Sequence, residues 1–176
     1  MKPFKIISAL PLLLLFVTQL TIAQTVHDVG ATITWWGDGV ILLDNKYTSG
    51  GKWIFVKQIQ YERKADNTLT GTITSTWYDL ARKEYKYITE FTGTYYYSPP
   101  NSGKPSEMTI LETSIISKGP DLPDGMQYCL GIGTLYISDD PDRPGHYILS
   151  GKMEETCERV VDLRLVDKSA EFKWKN

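Results

Sequence analysis

Apolar and polar residues alternate along most of the chain after Gln24, and this pattern predicts antiparallel strands. Between residues 84 and 97 the odd positions are Tyr85, Tyr87, Thr89, Phe91, Gly93, Tyr95 and Tyr97, against Glu84, Lys86, Ile88, Glu90, Thr92, Thr94 and Tyr96. Successive side chains on a strand point to opposite faces, so the odd set is the core face. Between 69 and 77 the core set is Leu69, Gly71, Ile73, Ser75 and Trp77, and the other face is a threonine ladder, Thr70, Thr72, Thr74 and Thr76. Parity also turns inward Trp53, Phe55, Lys57, Ile59 and Tyr61; Met108, Ile110, Glu112, Ser114 and Ile116; Tyr147, Leu149, Gly151 and Met153; and Val161, Leu163 and Leu165. No stretch carries a convincing helical period. One dry and one wet face on each strand means antiparallel sheet.

Strands are predicted at 29–36, 38–43, 52–62, 68–79, 84–97, 107–117, 128–138, 145–153 and 159–166, with a short piece at 171–174. Turn residues separate them, among them Gly37-Asp38-Gly39, Ser49-Gly50-Gly51, Ala65-Asp66-Asn67 and the run from Asp139 to Gly145. Four related tetrads, Leu69-Thr70-Gly71-Thr72, Phe91-Thr92-Gly93-Thr94, Gly131-Ile132-Gly133-Thr134 and Leu149-Ser150-Gly151-Lys152, place a glycine inside a strand. Glycine there marks sharp bending or close strand packing. The expected fold is all-β: an antiparallel up-and-down barrel of eight to ten strands, with a curved β-sandwich as the alternative.

The first 23 residues stand apart. Lys2 and Lys5 precede an apolar run through Leu12-Leu13-Leu14-Leu15-Phe16-Val17, and Thr21-Ile22-Ala23 fits a cleavage site. This reads as a secretory signal peptide, with an uncleaved anchor as the alternative. Residues 24–176 then form one domain, and export places the protein in the periplasm, on the cell surface or outside the cell. No second apolar stretch is long enough to span a bilayer. Cleavage removes two lysines and no acid, so the net charge moves from −2 to −4. In an oxidising compartment Cys129 and Cys157 are expected to form one disulfide, with two buried free thiols as the alternative. Closing so long a loop stabilises by about 3–4 kcal/mol in the chain-entropy model. Neither cysteine has a second cysteine or a histidine at ligand spacing, so no metal site is expected.

Charge changes the picture mainly by exclusion: 19 basic residues against 21 acidic ones carry no nucleic-acid signature. Aromatics make up 12% of the chain, with 11 tyrosines and 5 tryptophans, and most of them fall on the dry side. Trp53, Trp77, Tyr85, Tyr87, Tyr95 and Tyr97 are therefore the candidate wall of a ligand cup, unless they simply fill the barrel. Its mouth is expected at the rim by Tyr95–Tyr97 and the Pro99-Pro100 loop. Lys57 and Glu112 are charged positions on dry faces. Buried charges need partners, so they pair with each other or Lys57 holds an anionic group of a ligand; a register slip would turn either outward. Asp139, Asp140 and Asp142 read as a solvated turn. Glu154, Glu155 and Glu158 read as a charged loop, and His27 as part of a frayed start. Trp35 and Trp36 point to opposite faces, to be covered, if at all, by Phe172 and Trp174. The sequence contains no nucleophile elbow, metalloprotease motif or phosphate loop.

Phe91-Thr92-Gly93-Thr94-Tyr95 resembles a strand motif of avidin-type biotin binders, and Leu69-Thr70-Gly71-Thr72 echoes it. More broadly the chain is similar to calycin-type barrels, the lipocalins and avidins. The resemblance implies an exported barrel with an aromatic-lined cup, in which Tyr95 meets the ligand. It differs in that the motif lies mid-chain and Thr34-Trp35-Trp36-Gly37 lacks the family's opening order. The expected function is non-catalytic binding of a small, largely apolar ligand, without a cofactor. The alternative is a surface module that binds protein or glycan through an outer face. An enzyme would have only Lys57 and Glu112 to work with.

Overall fold

The structure, a computed structural model, describes residues 25–43, 46–47, 54–78, 81–99, 102–119 and 127–167. The segment read as a signal peptide, Trp53 and the short piece expected at 171–174 lie outside them, as do Phe172 and Trp174. The described strands are β1 (Thr32–Leu43), β2 (Lys46–Tyr47), β3 (Ile54–Arg63), β4 (Thr68–Tyr78), β5 (Glu84–Tyr96), β6 (Ser106–Lys118), β7 (Gly131–Asp139), β8 (Tyr147–Glu155) and β9 (Arg159–Asp167). Apart from the two-residue β2, which ribbons onto β1, each strand pairs antiparallel with the next in the chain. β1 also pairs with β9, and this closes an eight-stranded up-and-down barrel. No helix long and apolar enough to cross a membrane occurs among the described residues.

Closure explains the first departure from the sequence reading. Gly37-Asp38-Gly39 is not a turn between two strands. It is the middle of β1, which bonds β3 through residues 32–39 and β9 through residues 35–42. A Cβ on Gly37 would lie 2.4 Å from the Arg164 carbonyl oxygen, so only glycine lets β9 come this close. Gly93 does the same between β5 and β6, where a Cβ would meet the Thr109 oxygen at 2.0 Å.

Parity holds along most strands. Tyr85, Tyr87, Thr89, Phe91 and Tyr95 are buried on β5, as are Leu69, Ile73, Ser75 and Trp77 on β4, while Thr70 faces water. It fails on β6 past Glu112. Two register shifts against β5 bring Ile116 to the outside, 51% exposed, and leave Ser114 half-buried. Tyr97 lies just past the end of β5 and is 40% exposed rather than a core residue.

Residues 25–30 are tied to the barrel rather than frayed. Gly30 donates its amide to the Arg63 carbonyl (2.8 Å), and the Arg63 guanidinium donates to the His27 carbonyl (2.5 Å). These bonds fold residues 25–30 across one end of the barrel and bury Val26 in the core. The rim expected to be open, at Tyr95–Tyr97, is therefore the plugged end. The turn at Asp139–Gly145 is closed by Asp140, which accepts from the Asp142 amide and from Arg143 Nε at 2.8 Å; Asp140 itself is buried rather than solvated.

Candidate functional site

The predicted aromatic wall divides into two groups. Tyr85 and Tyr95 lie ten steps apart along β5, roughly 33 Å at the rise of a β-strand. No small ligand touches both.

At the plugged end, the Tyr95 hydroxyl faces His27 Nδ1. The His27 ring meets those of Tyr97 and Tyr147 at 5.1 Å each, and the Arg63 guanidinium lies 4.5 Å above the Tyr95 ring. Burial pushes the Tyr95 hydroxyl up to about 12. It therefore keeps its proton at neutral pH. Burial and then Arg63 hold the His27 pKa below 6.5, against weaker opposing pulls from Asp28 and Asp139. The consequence for stability follows from proton linkage. Below pH 6.5 the unfolded chain takes up a proton that the folded chain refuses, so stability falls as pH drops towards the lowered pKa. We expect that loss in urea titrations between pH 7 and 5, and a smaller one in His27→Gln.

The opposite end is bounded by the start of β3, the end of β4, the start of β5 and the bridge between Cys129 and Cys157. The cysteines are bonded, with Cα atoms 5.8 Å apart. Trp77 stacks on Tyr85, with centroids 5.7 Å apart and planes within 16°. It meets Tyr87 and Tyr128 edge-on at 5.8 and 5.9 Å. Lys83 lies 5.1 Å from the Tyr85 ring.

Beneath these rings the barrel interior becomes charged. Lys57 on β3 is fully buried, and its ammonium lies 3.6 Å from Glu155 Oε1 on β8. These strands are not neighbours, so the pair spans the lumen. Glu112 accepts from Thr89 Oγ1 at 2.5 Å and from the Gly131 amide. Ser75 and Thr89 complete a buried polar layer, with Lys57, Ser75 and Tyr87 in one cross-strand row. Burial alone would lower the Lys57 pKa, but Tyr87, Glu112 and Glu155 outweigh it and raise it, so the ammonium keeps its charge. Burial raises the Tyr87 pKa, and its hydroxyl donates to the Cys129 carbonyl at 3.3 Å.

Lys57 and Glu112 are thus both inward, yet the partner that lies against Lys57 is Glu155. Reading Glu154-Glu155-Glu158 as one charged loop is corrected: Glu154 and Glu158 are exposed, whereas Glu155 is the last inward residue of β8. Extending the parity of Leu149, Gly151 and Met153 by one step would have found it. Tyr128 had no such signal, because it precedes β7 in irregular backbone. The sulfurs of Cys129 and Cys157 and the Glu155 carboxylate lie within 4.8 Å of one another, but the bridge occupies both sulfurs.

No family model, curated protein or solved structure matches the chain.

The outer wall carries a second feature. β4 to β8 form a shallow groove of about 730 Å³, lined in part by Thr92, Thr94, Thr109, Leu111, Ile132 and Thr134. Leu111 and Ile132 lie opposite each other across β6 and β7 and are 49% and 54% exposed.

Proposed function

We propose that this is an exported, calycin-type barrel that binds a small, largely apolar ligand at its disulfide end, without catalysing a reaction. Trp77, Tyr85 and Tyr87 form the wall, and the Lys57–Glu155 pair meets the ligand's polar group. The observation that carries the reading is the buried charge. An eight-stranded barrel fills its lumen with apolar side chains, as this one does around Ile33, Trp35, Leu69, Met108, Leu135 and Leu163. Replacing a buried ion pair by well-packed apolar residues is often neutral or stabilising. Packing alone therefore does not account for Lys57 and Glu155, and buried charges beside aromatic rings are marks of a binding site. The disulfide and the signal segment support export.

The test is titration of the mature protein with a panel of aromatic and long-chain lipophiles, followed by tryptophan fluorescence. At least one class should change the emission, and Trp77→Phe should remove that change. If no member of the panel alters the emission, or if the change survives in Trp77→Phe, the site is wrongly placed.

The outer groove supports a second reading, a surface module that docks its partner on β4–β8. Leu111→Ser with Ile132→Ser separates the two readings. These substitutions leave lumen binding intact and abolish binding to the outer wall.

A further inference from the structure

We propose that Tyr128 is a further wall residue of the ligand site, held there by the Cys129–Cys157 bridge, so that reduction of the bridge by a dithiol opens the site. This rests on the ligand reading above. Residues 127–130 have no strand of their own. Tyr128 lies against Trp77 and, at 5.2 Å, against Tyr87, and the Cys129 carbonyl takes the Tyr87 hydroxyl. On the other side Leu130 exchanges bonds with Thr156, its amide donating to Thr156 Oγ1 and its carbonyl accepting from the Thr156 amide. The covalent tie in this strip is the bridge to Cys157, in the β8–β9 turn. Two residues before Cys157 stands Glu155, whose Oε2 lies 3.8 Å from the Cys157 sulfur. The bridge therefore links the ring that covers the site to the carboxylate that pairs with Lys57.

Cys129 is buried and Cys157 half-buried, so attack comes at Cys157. A thiolate of the dithiol bonds to the Cys157 sulfur, the bridge breaks and Cys129 leaves as a thiolate. The donor's second thiol then displaces Cys157 and closes the donor's own disulfide. Two electrons and two protons pass to the protein. Acceptors for the thiol protons are in place: the Gln127 carbonyl lies 3.3 Å from the Cys129 sulfur, and Glu155 lies beside Cys157. A Cys157 thiol that donates to Glu155 Oε2 leaves Oε1 to Lys57, so reduction loosens the strip that carries Tyr128 and leaves the anchor in place.

Amide hydrogen exchange on the mature protein, with and without dithiothreitol, tests this without any ligand. In the reduced protein the Leu130, Gly131 and Thr156 amides should exchange at least about tenfold faster, while Ile59 and Ile73 in the β3–β4 ladder keep their rates. Acrylamide quenching of tryptophan should rise in parallel, and the rise should vanish in Trp77→Phe. Cys129→Ser with Cys157→Ser should reproduce both effects, and Tyr128→Ala should raise quenching with the bridge intact. If the Ile59 and Ile73 amides accelerate as much as Leu130, the bridge is a staple of the whole fold and the proposal fails. It fails equally if Leu130 and Gly131 do not respond. These readouts do not depend on a ligand, so an unsuccessful lipophile titration leaves them unchanged, and a failed clasp leaves binding by the oxidised protein unchanged.

Discussion

Lys57→Ala will destabilise the protein by about 3–5 kcal/mol, the usual cost of removing one partner from a buried ion pair. Lys57 is fully buried and the Glu155 side chain nearly so. Truncating the lysine leaves a carboxylate in the lumen with its opposite charge gone, and leaves a void where the stem ran. The double variant Lys57→Met with Glu155→Leu fills the same space without charge and should return to wild-type stability or exceed it. Denaturant midpoints at neutral pH measure both, with unchanged m-values showing that the unfolding unit is the same. Glu112 keeps its own donors, Thr89 and Gly131, in every variant, and it loses the nearby Lys57 charge equally in both variants, so the difference between the two isolates Glu155. The double variant also bears on function. If the pair is kept as the polar anchor of a ligand, the stable double variant will fail to bind lipophiles that the wild type takes. A double variant as unstable as Lys57→Ala would mean that the pair is a structural requirement, and the argument from superfluous charge would fall.

The sequence displayed its strands because period-two alternation survives wherever one face is wet. Parity alone placed Tyr85, Tyr87, Phe91, Ile73 and Trp77 inside and turned Lys57 and Glu112 inward with them. The tetrad glycines announced the close strand packing that a small closed barrel needs, as at Gly93. Three things were hidden, each for a physical reason. Parity says which face a residue is on but nothing about height along the barrel, so one aromatic wall was read where there are two, with Tyr95 at the plugged end. Bulges are invisible to alternation, so Ile116 was turned inward although it is exposed. Composition also misleads at charged positions. Three glutamates around a cysteine look like a solvated loop, yet two of them continue a strand and one of these faces a lysine across the lumen. The plug at Val26 and His27 follows no periodicity. Its bonds to Arg63 and Tyr95 connect residues far apart in the chain, which local pattern cannot register.

Trp77→Ala decides whether the aromatic group at the disulfide end lines a site or fills it. Trp77 is 4% exposed and touches the rings of Tyr85, Tyr87 and Tyr128. Its removal should cost about 3–5 kcal/mol, the range for a buried large aromatic truncated to alanine, because neighbouring rings refill such a cavity only in part. Trp77→Phe should cost much less, since a ring remains to pack against Tyr85. Stability alone does not separate wall from plug, but its pairing with ligand response does. Thermal midpoints measured with and without a bound lipophile report the ligand's free energy for the native state. In a wall, the indole contributes contact area to the ligand, so Trp77→Ala loses both the folding energy and the ligand-induced rise in midpoint. In a plug, the indole occupies the space a ligand would need. Its removal then creates an apolar cavity, and such cavities take up small aromatics. The variant would gain a benzene- or indole-induced rise that the wild type lacks. We expect the first result, because Lys57 and Glu155 lie directly beneath this ring group and their charge has no use under a plug. A wild type indifferent to every lipophile, beside a Trp77→Ala variant stabilised by indole, would establish the plug and move the search for function to the outer groove.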